Sequence, residues 1–145
     1  DNAEADDIIA ILARKIHEID DKRLVVIITN DNDYLQLVNN KLLIWSLQNK
    51  LLNVKVELKT EQLLLKKILK GDESDNIPPC LPNASEEHLE YLVTNKKELD
   101  TILNNSEEIK KKFELNRNLI DFNYIPDDIK NEVITNCKDF LEKVN

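Results

Sequence analysis

Three short acidic clusters hold most of the chemistry this chain could perform: Glu4-Ala5-Asp6-Asp7, Asp31-Asn32-Asp33 and Gly71-Asp72-Glu73-Ser74-Asp75-Asn76. Carboxylates gathered in one cleft repel each other unless a cation lies between them. Hard divalent ions with oxygen ligands are the usual occupants, and such a cluster suits two-metal cleavage of phosphodiesters. Each cluster also has a plain structural reading. Acids in a first helical turn complement the helix dipole. Glu4 and Asp7 share one helix face, whereas Asp6 lies about 200° round from Glu4. The three therefore serve two ions, act through water, or sit on a frayed turn. Asp31 and Asp33 point the same way if extended, into the crevice beyond a strand's carboxyl end, unless one simply caps the next helix. An EF-hand fits poorly, because Leu35 takes a ligand position and Gln36 replaces the turn glycine. A turn and cap explain Gly71-Asp72 but not the second carboxylate, Asp75, three residues on.

The elements that must position these groups can be read from periodicity. Ile8, Ile9, Leu12 and Ile16 predict an amphipathic helix from residue 4 to about 19. Leu24 to Thr29 reads as a buried strand, Tyr34 to Val38 as a short helix and Lys41 to Leu47 as a second strand. Val54 to Leu58 alternates, as a third strand or an extended arm. Thr60 can cap a helix whose apolar residues run from Leu63 to Leu69, closed by Gly71 as a left-handed C-cap. Residues 72–84 are loop, broken by Pro78, Pro79 and Pro82. Helices follow near 85–94, 96–104, 106–120 and 126–143. The last places Ile129, Val133, Cys137, Phe140, Leu141 and Val144 in one stripe, with Pro126 in its first turn. The expected fold class is α/β, a Rossmann-like layer followed by an all-α region, with a boundary between residues 1–70 and 71–145.

Composition bounds the alternatives. The 145 residues are 41% hydrophobic and 33% charged, too apolar for disorder and without a membrane-spanning run. Cys80 and Cys137 match no metal or redox spacing and read as reduced thiols in an intracellular compartment. The formal charge of −8 falls to −1 once the seven carboxylates Glu4, Asp6, Asp7, Asp31, Asp33, Asp72 and Asp75 are set aside as ligands. Net charge thus neither excludes nor favours a nucleic-acid partner. With no Met anywhere and an abrupt start at Asp1, the chain reads as a piece of a longer protein.

In order and spacing, the clusters resemble those of the 5′-nuclease superfamily, which includes flap endonucleases, bacteriophage-type ribonuclease H and the 5′–3′ exonuclease domain of bacterial DNA polymerase. Glu4 to Ile9 is similar to its central acidic helix, and Thr29 to Val38 to its strand-end aspartate pair. The run from Leu69 to Pro78 resembles its last acidic motif almost letter for letter. The resemblance implies a PIN-like layer, incomplete at its N-terminus, with a helix-turn-helix-type region after it. It also implies two Mg²⁺ or Mn²⁺ ions. Glu4, Asp6 and Asp31 would lie on the first, with Asp33 close by or bridging. Asp7, Asp72 and Asp75 would hold the second or its waters. One ion would activate a water and the other would stabilise the leaving 3′ oxygen. The implied activity is 5′–3′ exonuclease or flap endonuclease, on 5′ flaps or primer junctions of DNA or RNA–DNA hybrid in replication and repair.

Two departures shape these expectations. The family's first acidic strand and basic helical arch have no counterpart here, so the chain is expected to need its missing N-terminal half and to be inactive alone. After Pro79 the family's glycine-rich hairpin is replaced by Cys80 to His88, with no glycine and two acids, Glu86 and Glu87. This gives no support for a K⁺ site. Asn83 can adopt the left-handed turn, and Asn76 adds a polar group beside the last motif. Lys66, Lys67 and Lys70, or Lys110 to Lys112, are substitutes for phosphate contacts, although a solvated helix face also explains them. His17 reads as a surface or core residue. Alternative readings are a PIN-type ribonuclease, which the Gly71–Pro78 motif argues against, and a DNA-binding or partner-docking remnant without catalysis.

Overall fold

The computed structural model describes residues 3–52 and 60–144. It is a mixed α/β structure, mostly helical with a small parallel sheet. The chain divides into two compact units, Asp1–Glu57 with Ile125–Asn145, and Leu58–Tyr124. No described helix is long and apolar enough to cross a membrane.

In the first unit, helix α1 (Ala5–Ile19) follows Glu4, whose extended backbone makes it the N-cap. Ala10, Ile11 and Ala13 are buried along one face of α1. Strands β1 (Val25–Ile28) and β2 (Leu42–Trp45) pair in parallel, with Val25 opposite Leu42 and Ile28 opposite Trp45. They are joined through a 3-10 turn, Asn32–Leu37, where a short helix from Tyr34 is expected. Leu42 and Ile44 face the core from β2.

The expectation that β1 is buried on both sides needs correction. Ile27 is buried, but Leu24, Val26 and Ile28 on the opposite face are 57%, 46% and 66% exposed. An apolar run of this kind suits a strand covered by layers on both faces. Among the described residues only one face is covered. The possible third strand, Val54 to Leu58, lies outside the described residues.

The continuous helix expected over 126–143 is two helices, α6 (Asp127–Asn136) and α7 (Lys138–Glu142). Cys137, at φ −102° and ψ 15°, leaves helical geometry and separates them. Pro126 is the N-cap of α6 rather than a first-turn residue. Val133 and Leu141 are buried, whereas Phe140 is half exposed. Helix α6 packs against α1, so this last stretch joins the first unit.

The second unit is helical: α2 (Thr60–Lys70), α3 (Glu86–Thr94), α4 (Lys96–Asn105) and α5 (Glu107–Ile120). Ser85 and Ser106 cap α3 and α5 by accepting from the His88 and Ile109 amides at 3.2 and 3.3 Å. Ile68, Leu69, Leu89, Leu92, Leu99 and Phe113 form its core with the neighbouring Ile77 and Cys80. Helix α2 contributes Ile68 and Leu69 to that core. The contact division therefore falls before α2, whereas the sequence places a boundary at residue 70.

Candidate metal centre

The first unit carries two of the acidic clusters, one on the first turn of α1 and one on the 3-10 turn after β1. At the start of α1 the Asp7 carboxylate accepts from the Glu4 amide at 3.4 Å, and the Asp6 carboxylate from the Asp7 amide at 2.9 Å. Glu4 thus stands outside the helix, on its cap. Partial burial raises the Asp7 pKa, the Glu4 amide opposes that shift, and the Asp6 charge adds to it. A partly desolvated carboxylate beside a second one gains when a cation arrives.

After β1, the Asp31 amide donates to the Thr29 hydroxyl at 3.0 Å, and the Asp31 carboxylate accepts from the Asp33 amide at 2.9 Å. The 3-10 turn starts here, so the alternation expected of an extended Asp31–Asp33 pair does not apply. Asp31 caps the turn and Asp33 stands in its first turn. Asn30 ties this corner to the end of β2, its side-chain oxygen accepting from the Leu47 amide at 3.0 Å.

Tyr34 links the two clusters. Its ring is buried, and its pKa is raised first by that burial and then by the charges of Asp6, Asp31 and Asp33. Carboxylates from α1 and from the β1 corner therefore act on one phenol. Sequence reasoning did not single out Tyr34 as a functional residue; its position one residue after Asp33 was the available signal.

The second unit builds the last cluster as a closed loop. Gly71 ends α2 at φ 73°, its amide donating to the Lys67 carbonyl at 2.8 Å. Asp72 and Ile77 then pair through both backbone hydrogen bonds, at 2.9 and 2.8 Å. Asn76 turns the chain back at φ 58°. One Asp72 oxygen accepts from the amide and hydroxyl of Ser74. The other faces the Lys67 ammonium at 2.8 Å. Lys67 first, and Ser74 after it, hold the Asp72 pKa down to about 2. Carboxylate oxygens of Asp72 and Asp75 lie within 4.8 Å of each other. Such a pair suits a hard divalent ion with oxygen bonds of about 2.0–2.6 Å, directly or with one water.

The three lysines of α2 that are expected near phosphate carry ion pairs. Lys66 bonds Glu86 and Glu90 at 2.7 and 2.9 Å, and Lys70 lies 3.4 Å from Glu86. These acids raise the Lys66 pKa, and Lys66 lowers that of Glu86. Lys66 is thus largely covered by its acids, whereas Lys70 keeps 60% of its side chain exposed, and Glu86 is an ionised partner of both. Lys67 is the ion partner of Asp72. Lys111 and Lys112 pair along α5 with Glu107 and Glu108. Asn83 takes the left-handed conformation at φ 71°. His17 carries a buried Nε2 with no hydrogen-bond partner among the described residues. The buried Cys80 thiol is pushed up to about 11 by desolvation, so it is not a nucleophile at neutral pH.

Residues 1–68 match the family model for the 5′-3′ exonuclease N-terminal, resolvase-like domain. Ribonuclease H of Enterobacteria phage T4 is 30% identical over 153 aligned positions, covering 92% of this chain and 48% of that protein. These matches support the 5′-nuclease superfamily for this chain. Members of this superfamily are nucleases, and the chain spans about half the length of the curated relative it matches. Its fold is also that of two solved structures, each 19% identical. The T5 D15 protein co-crystallised with metal ions has a TM-score of 0.72 over 98% of this chain and 60% of its own. A T5 5′-exonuclease mutant has a TM-score of 0.73 over 98% of this chain and 66% of its own.

Proposed function

We propose that the chain is part of a divalent-metal-dependent 5′–3′ exonuclease or flap endonuclease, cutting phosphodiesters at 5′ ends or flaps of DNA or RNA primers. The observation that carries this is the closed Gly71–Pro78 loop, which holds the Asp72 and Asp75 carboxylates within 4.8 Å. Further support comes from Asp6, Asp31 and Asp33, whose charges act together on Tyr34, and from the likeness to 5′-nucleases.

In this reading Glu4, Asp6 and Asp31 hold a first Mg²⁺ or Mn²⁺, with Asp33 close to it, and Asp7, Asp72 and Asp75 hold a second or its waters. Bound ions supply Lewis-acid activation of water and stabilisation of the departing oxygen. The chain's own residues orient and charge this site. Asp72 remains ionised at any working pH because Lys67 and Ser74 stabilise its anion. Asp31 fixes the 3-10 turn that carries Asp33, and Asn30 holds that corner against β2. The substrate class, the role in replication or repair, and the contribution of other parts of a longer protein belong to the same proposal.

Calorimetry with Mn²⁺ tests it. The chain should bind the ion, and Asp72→Asn combined with Asp75→Asn should weaken binding at least about tenfold, as should Asp31→Asn. Binding that is absent, or unchanged in these variants while they remain folded, would overturn the assignment of the site.

A further inference from the structure

Asn116 lies on α5, far along the chain from any acidic motif, and is 1% exposed. A buried amide needs partners for its polar atoms; the Asn116 Nδ2 finds its own around the acidic loop, while the Oδ1 has none among the described residues. Its Nδ2 donates to the Ile68 carbonyl at 3.0 Å and to the Pro78 carbonyl at 2.8 Å. The Cys80 sulfur lies 3.4 Å from the same nitrogen. Both oxygens can only accept, so the amide orientation is fixed by chemistry: a flipped side chain would set oxygen against oxygen.

The positions of those two carbonyls matter. Ile68 stands in the last turn of α2, where carbonyls have no partner within the helix. Its oxygen is shared with the Cys80 thiol at 3.2 Å. The adjacent Leu69 carbonyl receives the Cys80 amide at 2.9 Å, and the Lys67 carbonyl receives that of Gly71. Pro78 closes the far side of the loop, immediately after the Asp72–Ile77 pair. One amide thus bolts the backbone before Gly71 to the backbone after Ile77. Asp72 and Asp75 lie between these two anchors.

We infer that Asn116 is a positioning residue for the Asp72–Asp75 pair: it fixes both ends of the loop from beneath and so sets the spacing of the two carboxylates. The inference rests on the metal reading of that pair. Partners behind a ligand shell commonly change metal affinity by about 10–100-fold when removed, and Asn116 acts one step further back, through the backbone.

The test uses Asn116→Leu, which keeps the volume but removes the donor to the Pro78 carbonyl and leaves the Ile68 carbonyl to the Cys80 thiol alone, and Asn116→Asp, which places acceptors against acceptors. Two quantities are read on the whole chain, after circular dichroism shows the variants folded. The first is exchange of the Asp72 and Ile77 amides, expected to accelerate at least about tenfold while the Leu92 and Phe113 amides change less. The second is Mn²⁺ affinity, expected to weaken about tenfold, with no further loss when Asn116→Leu is added to Asp72→Asn/Asp75→Asn. Unchanged exchange at Asp72 and Ile77 in folded variants overturns the inference. So does a loss of Mn²⁺ affinity of equal size in the doubly neutralised background. If the unaltered chain binds no Mn²⁺, the metal reading fails by itself, and the exchange measurement then decides whether Asn116 governs the loop. Should Asn116→Leu not fold, Asn116→Asp carries both measurements.

Discussion

Asp72 illustrates how much a single side chain can reveal. Its ordinary pKa of 3.8 falls to about 2 because the Lys67 ammonium and Ser74 stabilise the anion. The side chain is only 18% exposed, so solvent screens the pair incompletely. A folded value below the unfolded one adds stability that is fully present above about pH 4 and is lost as pH falls through about 2. The contribution is on the order of 1–2 kcal/mol. Asp72→Asn is therefore expected to flatten the fall of the urea midpoint between pH 5 and pH 2. A wild-type slope in the variant would contradict the Lys67–Asp72 assignment. Asp7 has the opposite sense: burial raises its pKa, so its charge costs stability at neutral pH until a cation compensates.

At the scale of elements, the Gly71 turn is the joint on which the second unit's acidic loop depends. A Cβ at Gly71 would stand 2.4 Å from the Ile77 carbonyl oxygen and 2.7 Å from Pro78 backbone atoms, at φ 73°. Backbone cannot move aside as the end of a flexible side chain can. Gly71→Ala should cost about 2–4 kcal/mol in denaturant unfolding, and a loss below 0.5 kcal/mol would mean the loop has another way to close. This joint was legible in the sequence, because a lone glycine ending an apolar periodic run predicts a left-handed cap. Helices α1 to α5 were legible for the same kind of reason. The split at Cys137 was not, because its apolar stripe continues unbroken across the bend. Nor was the exposed side of β1, since periodicity reports which residues are apolar and not which layer covers them. Among site residues, the carboxylates stood out as clusters. Tyr34 and Asn116 did not, and Lys67 stood out only as a possible phosphate contact and not as the ion partner of Asp72, because each acts through contacts that no local spacing encodes.

For the molecule as a whole, chain order and contact order diverge. Residues 125–145 return to the unit that begins the sequence, with α6 against α1. Deleting 125–145 should therefore expose α1 while leaving the α2–α5 core folded. Amide exchange would report this as lost protection at Ala10 and Ile11 with protection kept at Leu92. Equal loss in both places would show that the two cores unfold as one. The bare side of β1 has a practical corollary for anyone purifying this polypeptide. Leu24, Val26 and Ile28 form an oily ridge on the face of a strand with one paired neighbour among the described residues, and exposed apolar surface of this kind draws molecules together. Concentrated solutions will tend to cloud through that ridge, so light scattering should be followed alongside every titration named above.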